Sequence, residues 1–435
     1  MRNLKTVIPI FCTKDEKTTL SVECADTEAI AKGNNIAPKR VAFFGHFDAT
    51  NFGNESTLQA ILYHLRCFQP RAKITCICDG PKTVAEAYGI EAVPLSYIKS
   101  RSPTRSILIK AVLGLPSEVY GLLRGFITLS RMHMLIVPGT GLLTDAYGLR
   151  GWGPYNSFKW SVLARICSCK LLYVSVGAGP VYSFLGKFLV KSALGLAHFR
   201  SYRDNSTKQC LNSIGLRAHN DPIYPDLVFS FPESMLPQQP AQKNDRYVVG
   251  LGLMIYAEKY SVAHPDIEIQ RTYMNILATF ARWLVAHEND VRLLIGDLAD
   301  TGTKEEFKEL LRGLLQESEG KHIIDEPVQS VESLLSQIAM SEIVVATRFH
   351  NVLLALLCNK PVIAISFHHK CESLMAAMGL SEYCLDINSL EVNVLIEKFC
   401  DLKANADNFK LLIKEKVEQF RQELDKQYNA IFKEI

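Results

Sequence analysis

The sequence lacks any long apolar segment free of charge. No stretch reaches the run of about 18 apolar residues that a membrane-spanning helix needs. The first residues, MRNLKTVIPIFCTKDEK, hold one short apolar run that charged residues interrupt, which is not the pattern of a signal peptide. We therefore expect a cytoplasmic protein, with a peripheral position at the inner face of a membrane as an open alternative.

The sequence also lacks an excess of either charge. It has 48 Lys and Arg against 45 Asp and Glu, a net charge of +3. This balance is not that of a nucleic-acid binder, which concentrates basic residues on one face. Hydrophobic residues make up 48% and charged residues 21%, values typical of a soluble globular protein. A chain of 435 residues is too long for one core and predicts two domains.

The 12 cysteines lack the spacing of a metal site. Cys76 and Cys78 are separated by one residue, as are Cys167 and Cys169, whereas a zinc knuckle separates its cysteines by two or more. We interpret the cysteines as buried, reduced thiols of a cytosolic protein. No cluster of acidic residues calls for a metal ion, so we expect neither a metal nor a cofactor.

What the sequence does contain is a repeated alternation of buried strands, glycine turns and helices. Predicted strands cover residues 40–47, 72–79, 132–141 and 170–180, then 247–254, 291–297, 342–348 and 360–367. Predicted helices cover residues 54–68, 157–168 and 184–197, then 271–288, 303–318, 330–341 and 349–359. This order is typical of an open parallel sheet covered on both faces. It predicts two tandem doubly wound, Rossmann-like α/β domains.

Changes in composition suggest the domain boundaries. The predicted parts are a polar, partly disordered extension (1–37), a first domain (38–230), a proline-containing linker (231–246), a second domain (247–402) and a C-terminal helix (403–435). The terminal helix is amphipathic. It can pack back on the domains or pair with another chain as a coiled coil. Ligands of such folds bind beyond the carboxyl ends of the strands, so we expect the site in the cleft between the domains.

Glycine turns mark three of the predicted strand ends. The residues concerned are Gly53 with Asn54, Gly139 with Gly141, and Gly177 with Gly179. Glycine lets the backbone approach a ligand closely, and the helix starts that follow favour an anion. None of the turns matches the dinucleotide-binding fingerprint. The alternative is that each glycine only forms a turn.

A further polar pair follows a short apolar segment before residue 203. Arg203 ends that segment, and Ser206 lies near the start of a helix that runs to Leu211. An arginine and a serine at a helix start can bind an oxyanion. The alternative is a helix cap beside an arginine on the surface.

The segment VVATRFHNVLLALLCNKPVIAISFHHK (344–370) places titratable residues at two neighbouring strand ends. They are Arg348 and His350 at the first end and His368, His369 and Lys370 at the second. An arginine at the start of a buried helix needs an anionic partner, and histidine exchanges a proton near neutral pH. The set predicts a site for a small anion with proton transfer. The alternative is a histidine that caps the helix and an arginine paired with Glu342 or another carboxylate.

These segments, taken in order, resemble the polysaccharide pyruvyl transferase family over roughly residues 40–390. The matching motifs are NFGNE (51–55), PGTGLLTD (138–145), GAGP (177–180), Arg203-Asp204 followed by Ser206, YPDLVFSF (224–231), and Arg348-x-His350 followed by Lys370. Two positions depart from the family pattern. Asn54 stands in place of an aspartate, and Phe367 in place of a tyrosine.

The resemblance implies a fold, a reaction and roles for residues. It implies the two-domain glycosyltransferase-B fold and phosphoenolpyruvate as the donor of a pyruvate ketal in exopolysaccharide or cell-envelope synthesis. The acceptor would be a sugar of a polysaccharide or of its lipid-linked or nucleotide-linked precursor. The donor-binding residues would be Arg203, Ser206, Arg348, Phe349 and Lys370. His350 would be the general acid, with Arg348 beside it.

Two other functions stay open. A glycosyltransferase with a nucleotide-sugar donor would share the fold, and a non-catalytic homologue would share the motifs. Residues 97–131 form a basic, apolar segment with only one acidic residue, Glu118. This segment predicts either contact with an anionic membrane or a helix pair that covers the sheet.

Overall fold

The computed structural model describes residues 37–48, 50–96, 107–139, 141–145, 153–238, 246–256 and 267–433, with only the backbone of 107–115. The predicted N-terminal extension lies outside these residues, apart from residue 37. So do the first part of the basic segment (97–106) and part of the proline-containing linker (239–245).

The first half of the chain forms a parallel sheet of six strands, covered by helices. Its elements are β1 (Arg40–Phe44), α1 (Phe52–Phe68), β2 (Lys73–Cys78), α2 (Pro81–Tyr88), β3 (Glu91–Pro94), α3 (Ile107–Leu129), β4 (Met134–Pro138), α4 (Gly153–Ile166), β5 (Lys170–Val176), α5 (Phe184–Gly195), β6 (Phe199–Tyr202) and α6 (Asn205–Ser213). The strand order is β3-β2-β1-β4-β5-β6.

The second half forms another six-stranded parallel sheet. Its elements are β7 (Tyr247–Leu253), α7 (Ile267–Ala286), β8 (Asn289–Ile295), α8 (Thr301–Leu314), β9 (Ile323–Ile324), α9 (Val331–Ala339), β10 (Ile343–Ala346), α10 (Phe349–Leu357), β11 (Val362–Ser366), α11 (His369–Ala377), β12 (Cys384–Asp386), α12 (Val392–Ala404) and α13 (Ala406–Phe432). Its order is β12-β11-β10-β7-β8-β9, the same winding as in the first sheet. The prediction of two doubly wound sheets is confirmed.

The strands that the sequence pattern missed are the outer strands of the sheets. They are β3 and β6 in the first sheet and β9 and β12 in the second. Each has four residues or fewer and is only partly buried. A central parallel strand is buried on both faces and is therefore a continuous apolar run, whereas a short edge strand carries no such run.

The C-terminal helix α13 packs back on the first half of the chain. Its Tyr428 is fully buried and stacks on His64 at 4.1 Å between ring centroids. Its buried Gln427 accepts a hydrogen bond from Ser201 Oγ at 2.6 Å and donates one to Ser175 Oγ at 2.9 Å. The structure therefore corresponds to the packed-back alternative. The domain boundaries given above stay a prediction.

Two further predictions are partly corrected. The described part of 97–131 contains one helix, α3, rather than a pair. The described cysteines are all free, but only some of them are buried, since Cys400 is exposed and Cys67 is half-buried. Among the described helices, none combines the length and the apolar character needed to cross a bilayer.

Candidate active site

The carboxyl ends of the two sheets meet where α1 begins. The Phe52 N–H donates to the Gly296 carbonyl at 3.1 Å, and the Leu298 N–H donates to the Thr50 carbonyl at 2.9 Å. Asn51 caps α1 by accepting from the Asn54 N–H at 3.1 Å. These bonds hold the first turn of α1 against the turn after β8. The two sheets, between which the cleft was expected, are therefore in direct contact at this point.

His350 lies in the first turn of α10, against the first turn of α1. A Cβ atom at Gly53 would lie 2.0 Å from His350 Nδ1, so only glycine allows this approach. Gly53 and Asn54 belong to α1 itself, which begins two residues earlier than predicted. His350 Nε2 is buried and has no hydrogen-bond partner in the described part of the chain.

The surroundings of His350 keep its imidazole neutral at neutral pH. Burial lowers the pKa of His350 to about 4. Asp226 opposes this shift, whereas the positive charges of Arg203, Lys370 and Arg348 add to it. A proton reaches this ring readily only when a negative charge arrives beside it.

Lys370 lies in the first turn of α11, after the neighbouring strand β11. Burial and the charge of Arg203, partly offset by Asp204, lower the pKa of Lys370 to about 8. Its ammonium group makes no ion pair or hydrogen bond with any residue that the structure describes. A half-buried ammonium without such a partner has the charge and the open valences to accept an anion.

Two more histidines start α11 beside this lysine. His368 caps the helix, since its Nδ1 accepts from the Lys370 N–H at 3.4 Å. Burial, with the charge of Lys370, lowers the pKa of His368 to about 3. Burial also lowers the pKa of His369, whose Nε2 is buried without a partner among the described residues. Because β10 pairs with β11, the residues of 344–370 do meet at one edge, as predicted.

Arg203 reaches the same place from the end of β6. It donates to Asp226 Oδ2 at 2.9 Å, and its guanidinium lies 4.4 Å from the centre of the Phe349 ring. A Cβ atom at Gly177 would lie 2.6 Å from Arg203 Nη2. The side chain is only 8% exposed, so the alternative of a surface arginine is wrong.

Ser206 connects α6 with the second half of the chain. Its hydroxyl donates to Asp204 Oδ1 at 2.7 Å and lies 3.3 Å from Ser373 Oγ of α11. Asp204 caps α6 by accepting from the Thr207 N–H at 2.6 Å. Burial raises the pKa of Asp204, but Arg203 and these hydrogen bonds outweigh burial, and the pKa is lower than usual. Asp204 is therefore the cap, and Ser206 faces α11.

Arg348 is paired rather than available. Its guanidinium donates two hydrogen bonds to Asp300, a fully buried carboxylate, through Nε and, at 2.7 Å, through Nη2. Burial raises the pKa of Asp300, and Arg348 opposes that rise. Of the alternative partners, Glu342 or another carboxylate, the structure has the second, Asp300, whereas Glu342 accepts from the Val248 N–H at 2.7 Å. Arg348 acts on His350 through its charge.

The remaining glycines serve packing rather than the cationic site. A Cβ atom at Gly139 would lie 2.9 Å from the Ser175 carbonyl oxygen, and one at Gly179 would lie 2.8 Å from Thr144 Oγ1. A Cβ atom at Gly141 would meet nothing within 4 Å. Of the predicted glycine turns, the structure brings only Gly53 and Gly177 against the titratable cluster.

Two aspartates of the site were not predicted. Asp226 and Asp300 supply the negative charge that holds Arg203 and Arg348. Asp226 lies in the segment YPDLVFSF, which the family resemblance had singled out, so a signal existed for it. Asp300 lies in GDLAD after β8, where nothing in the sequence separates it from its neighbour Asp297. Arg348 is held by two hydrogen bonds and Arg203 by one, so the groups that can respond to an anion are Lys370, the three imidazoles and the Nε of Arg203.

Comparison with known proteins supports both the family and the fold. The family model described as polysaccharide pyruvyl transferase matches residues 51–369, which include every predicted site residue except Lys370. No curated protein sequence matches the chain significantly.

Similar solved structures include three enzymes or complexes of sugar metabolism. They are a proposed UDP-N-acetylglucosamine 2-epimerase from Listeria monocytogenes (13% identity, 87% of this chain and 91% of that chain, TM-score 0.57), Anabaena HepE in complex with UDP and glucose (13%, 90% and 99%, 0.55), and the UDP-GlcNAc 2-epimerase from Neisseria meningitidis bound to UDP-GlcNAc (12%, 89% and 100%, 0.53). At these identities the likeness concerns the fold alone, and the predicted glycosyltransferase-B arrangement is confirmed.

Proposed function

The chain belongs to the polysaccharide pyruvyl transferase family, and we propose that it transfers the pyruvyl group of phosphoenolpyruvate to two hydroxyls of a sugar. The acceptor would be a sugar of a polysaccharide or of its precursor. The observation that carries the proposal is the cluster at the ends of β10 and β11. It holds an unpartnered lysine and three neutral imidazoles, which is a site prepared for a compact anion.

The donor fits this cluster by charge. Phosphoenolpyruvate carries a carboxylate and a phosphate, about three negative charges near neutral pH. Lys370 would bind one anionic group. Arg203 would bind another through Nε, which is buried and has no hydrogen-bond partner among the described residues, since Asp226 accepts from Nη1. The N–H groups at the starts of α6 and α11 would also stabilise both anionic groups of the donor, because helix starts favour anions. Ser206 and Phe349 would border the donor.

The reaction requires one proton transfer to carbon. In the proposed first step the methylene carbon takes a proton and becomes a methyl group, while a sugar hydroxyl adds to the central carbon and loses its own proton. In the second step the bond between this carbon and the phosphate oxygen breaks, and inorganic phosphate leaves with the electron pair. Another hydroxyl of the sugar then bonds to the same carbon and releases its proton. The products are the cyclic ketal and phosphate.

His350 is the proposed acid of the first step. Its ring is neutral in the free protein because its pKa is about 4. A bound donor brings negative charge next to the ring, which raises the pKa and favours uptake of a proton. The proton would therefore arrive with the donor and be passed to its methylene carbon. Arg348, fixed by Asp300, would keep the pKa of the ring low until then.

The test is a thermal-shift titration of the whole chain with phosphoenolpyruvate, UDP-sugars and CMP-sugars. A ligand of the folded state raises the melting temperature as its concentration rises. We expect a shift with phosphoenolpyruvate that Lys370→Ala removes and Lys370→Arg retains. The control Lys414→Ala, at an exposed position of α13, should behave as the wild type. A shift with nucleotide sugars alone would contradict the proposal.

A nucleotide-sugar transferase is the second candidate. Two of the similar structures are complexes with UDP or UDP-GlcNAc, bound to proteins of the same fold. An unpartnered lysine at a strand end also suits a diphosphate. The two functions differ in product: only pyruvyl transfer releases inorganic phosphate from phosphoenolpyruvate in an acceptor-dependent way. Such a release would also exclude a non-catalytic homologue.

A further inference from the structure

The outer face of the first half carries an unusual number of exposed apolar side chains. They lie on α3, α4 and α5, and on the residues just before α5. The most exposed are Phe184 at 88%, Tyr182 at 70% and Ile166 at 62%. A soluble monomer rarely leaves a contiguous apolar surface of this kind uncovered, and such surfaces mark contact with a protein or a membrane. We call this surface the α3–α5 face.

In the part of α3 whose side chains the structure describes, 116–129, the glycines face the neighbouring helix and most large apolar residues face outward, whereas Leu129 is buried. Gly121 and Gly125 are buried, and a Cβ atom at Gly125 would lie 2.9 Å from Leu163 Cδ1 of α4. The spacing of four residues places both glycines on one side of the helix. Leu123 and Phe126, on other sides, are exposed. Burial in the protein core therefore does not explain the apolar side chains of this helix.

A groove of about 540 Å³ lies between α3 and α4 on this face. Its lining is apolar except for Tyr155 and Lys159. Lys159 is already paired with Glu118 at 3.1 Å, and the Tyr155 hydroxyl donates to the same carboxylate at 2.6 Å. A group that binds in this groove would therefore make apolar contacts rather than contacts with a free charge.

The charges around this surface are nearly all positive. Helices α3, α4 and α5 contain six basic residues and one acidic residue, Glu118, which Lys159 and Tyr155 occupy. Arg124, Lys187 and Lys191 are exposed. An apolar surface with basic residues at its border matches the interface of a bilayer with anionic headgroups. A protein partner would instead need a matching acidic border, for which α3–α5 of a second copy offers no residue.

We propose that the α3–α5 face lies on a membrane surface that contains anionic lipids. The apolar side chains would enter the boundary between headgroups and acyl chains, and the lysines and arginines would contact the headgroups. The chain runs from Gly179, beside the cleft, to Phe184 with four residues between them. Asp145 fixes that connection by accepting from the Tyr182 and Ser183 N–H groups, each at 2.8 Å. The bilayer would thus lie at one side of the cleft mouth, and the proposal does not depend on the identity of the donor.

The test is co-sedimentation of the whole chain with vesicles of phosphatidylcholine alone and of equal parts phosphatidylcholine and phosphatidylglycerol. We expect binding to the mixed vesicles that is about tenfold weaker on phosphatidylcholine alone and weaker as salt is raised. Phe184→Glu should reduce binding about tenfold, and Arg124→Glu should reduce it at low salt. Leu411→Glu places the same charge on a leucine of α13 that is 70% exposed, and it should leave binding unchanged.

Three results would overturn the proposal. The first is no binding to the mixed vesicles at low salt. The second is an equal loss in Phe184→Glu and Leu411→Glu. The third is a dimer in analytical ultracentrifugation that Phe184→Glu breaks, without vesicle binding, which would assign the face to a second copy of the chain. Circular dichroism checks that Phe184→Glu is folded, and Leu123→Glu serves as a second variant. An unchanged thermal shift with phosphoenolpyruvate in these variants separates this test from that of the proposed function.

Discussion

The two halves of the molecule share one strand order but end their strands differently. In the first half, Arg203 at the end of β6 is buried, paired with Asp226 and held close by Gly177. In the second half, Lys370 and His350 follow β11 and β10, and their described surroundings leave Lys Nζ and His Nε2 without partners. Identical winding thus supports two kinds of strand end. At the end of β6 the positive charge is already paired with a carboxylate. At the ends of β10 and β11, Lys370 can accept a negative charge and His350 can accept a proton.

The largest expected effect comes from removing the proton carrier of the second half. His350→Ala should lower kcat for pyruvyl transfer by about 10²- to 10⁴-fold, the usual contribution of a general acid. Phosphate release from phosphoenolpyruvate measures it. His219→Ala, an exposed histidine of the first half, is the control. Near-normal turnover of His350→Ala in a folded protein would refute its role and remove the contrast between the halves.

A smaller effect on donor affinity is expected from Lys370, whose positive charge depends on its bound proton. The pKa of Lys370 is lowered to about 8, so the ammonium is present below that pH and is lost as the pH rises through it. Donor affinity should therefore fall above pH 8. Lys370→Arg, which keeps its charge, should flatten this fall. Lys370→Ala should weaken donor binding about 10- to 100-fold below pH 8, and its difference from the wild type should shrink above that pH.

Titration of donor binding by fluorescence or calorimetry from pH 6 to pH 9 measures this profile. Donor affinity in the wild type that stays constant across pH 8 would show that another group binds the anion. Arg203 of the first half, rather than Lys370 of the second, would then be the main ligand of the donor.

The rigid strand end of the first half can be tested through its glycine. Gly177→Ala would place a Cβ atom 2.6 Å from Arg203 Nη2 and force the guanidinium away. We expect donor affinity to fall about tenfold with little change in fold. Gly141→Ala is the matched control, because a Cβ there meets nothing within 4 Å. Equal affinity of the two variants would mean that Arg203 does not need its present position.

The smallest effect on catalysis, and a clear one on stability, is expected where α13 joins the halves. Gln427→Leu would leave the buried Ser175 hydroxyl without its partner and the Ser201 hydroxyl without an acceptor, although Ser201 Oγ still accepts from the Ser175 N–H. An unsatisfied buried polar group costs about 1–3 kcal/mol, so the denaturant midpoint should fall. Gln422→Leu, on the exposed side of the same helix, should not change it. If both variants unfold at the same denaturant concentration, the packing of α13 contributes little to the union of the halves.

The sequence was sufficient to predict the central strands but insufficient to predict which residues pair across the cleft. Strands such as β4 and β10 are continuous apolar runs, and their period alone identified them. The edge strands β9 and β12 have two and three residues and no such pattern. The residues at 344–370 were predicted to meet because parallel neighbours end at one edge, which is a property of connectivity.

What the sequence determined by itself was the kind of fold, the edge at which chemistry would gather and the family to which the motifs belong. Those features depend on local period, on turn residues and on chain order. Only the tertiary structure decided that Arg348 would be taken up by Asp300, that Gly53 would receive His350, and that α3 would bury its glycines and expose its large apolar side chains. Such pairings depend on distances between segments far apart in the chain, and sequence spacing carries no measure of those distances.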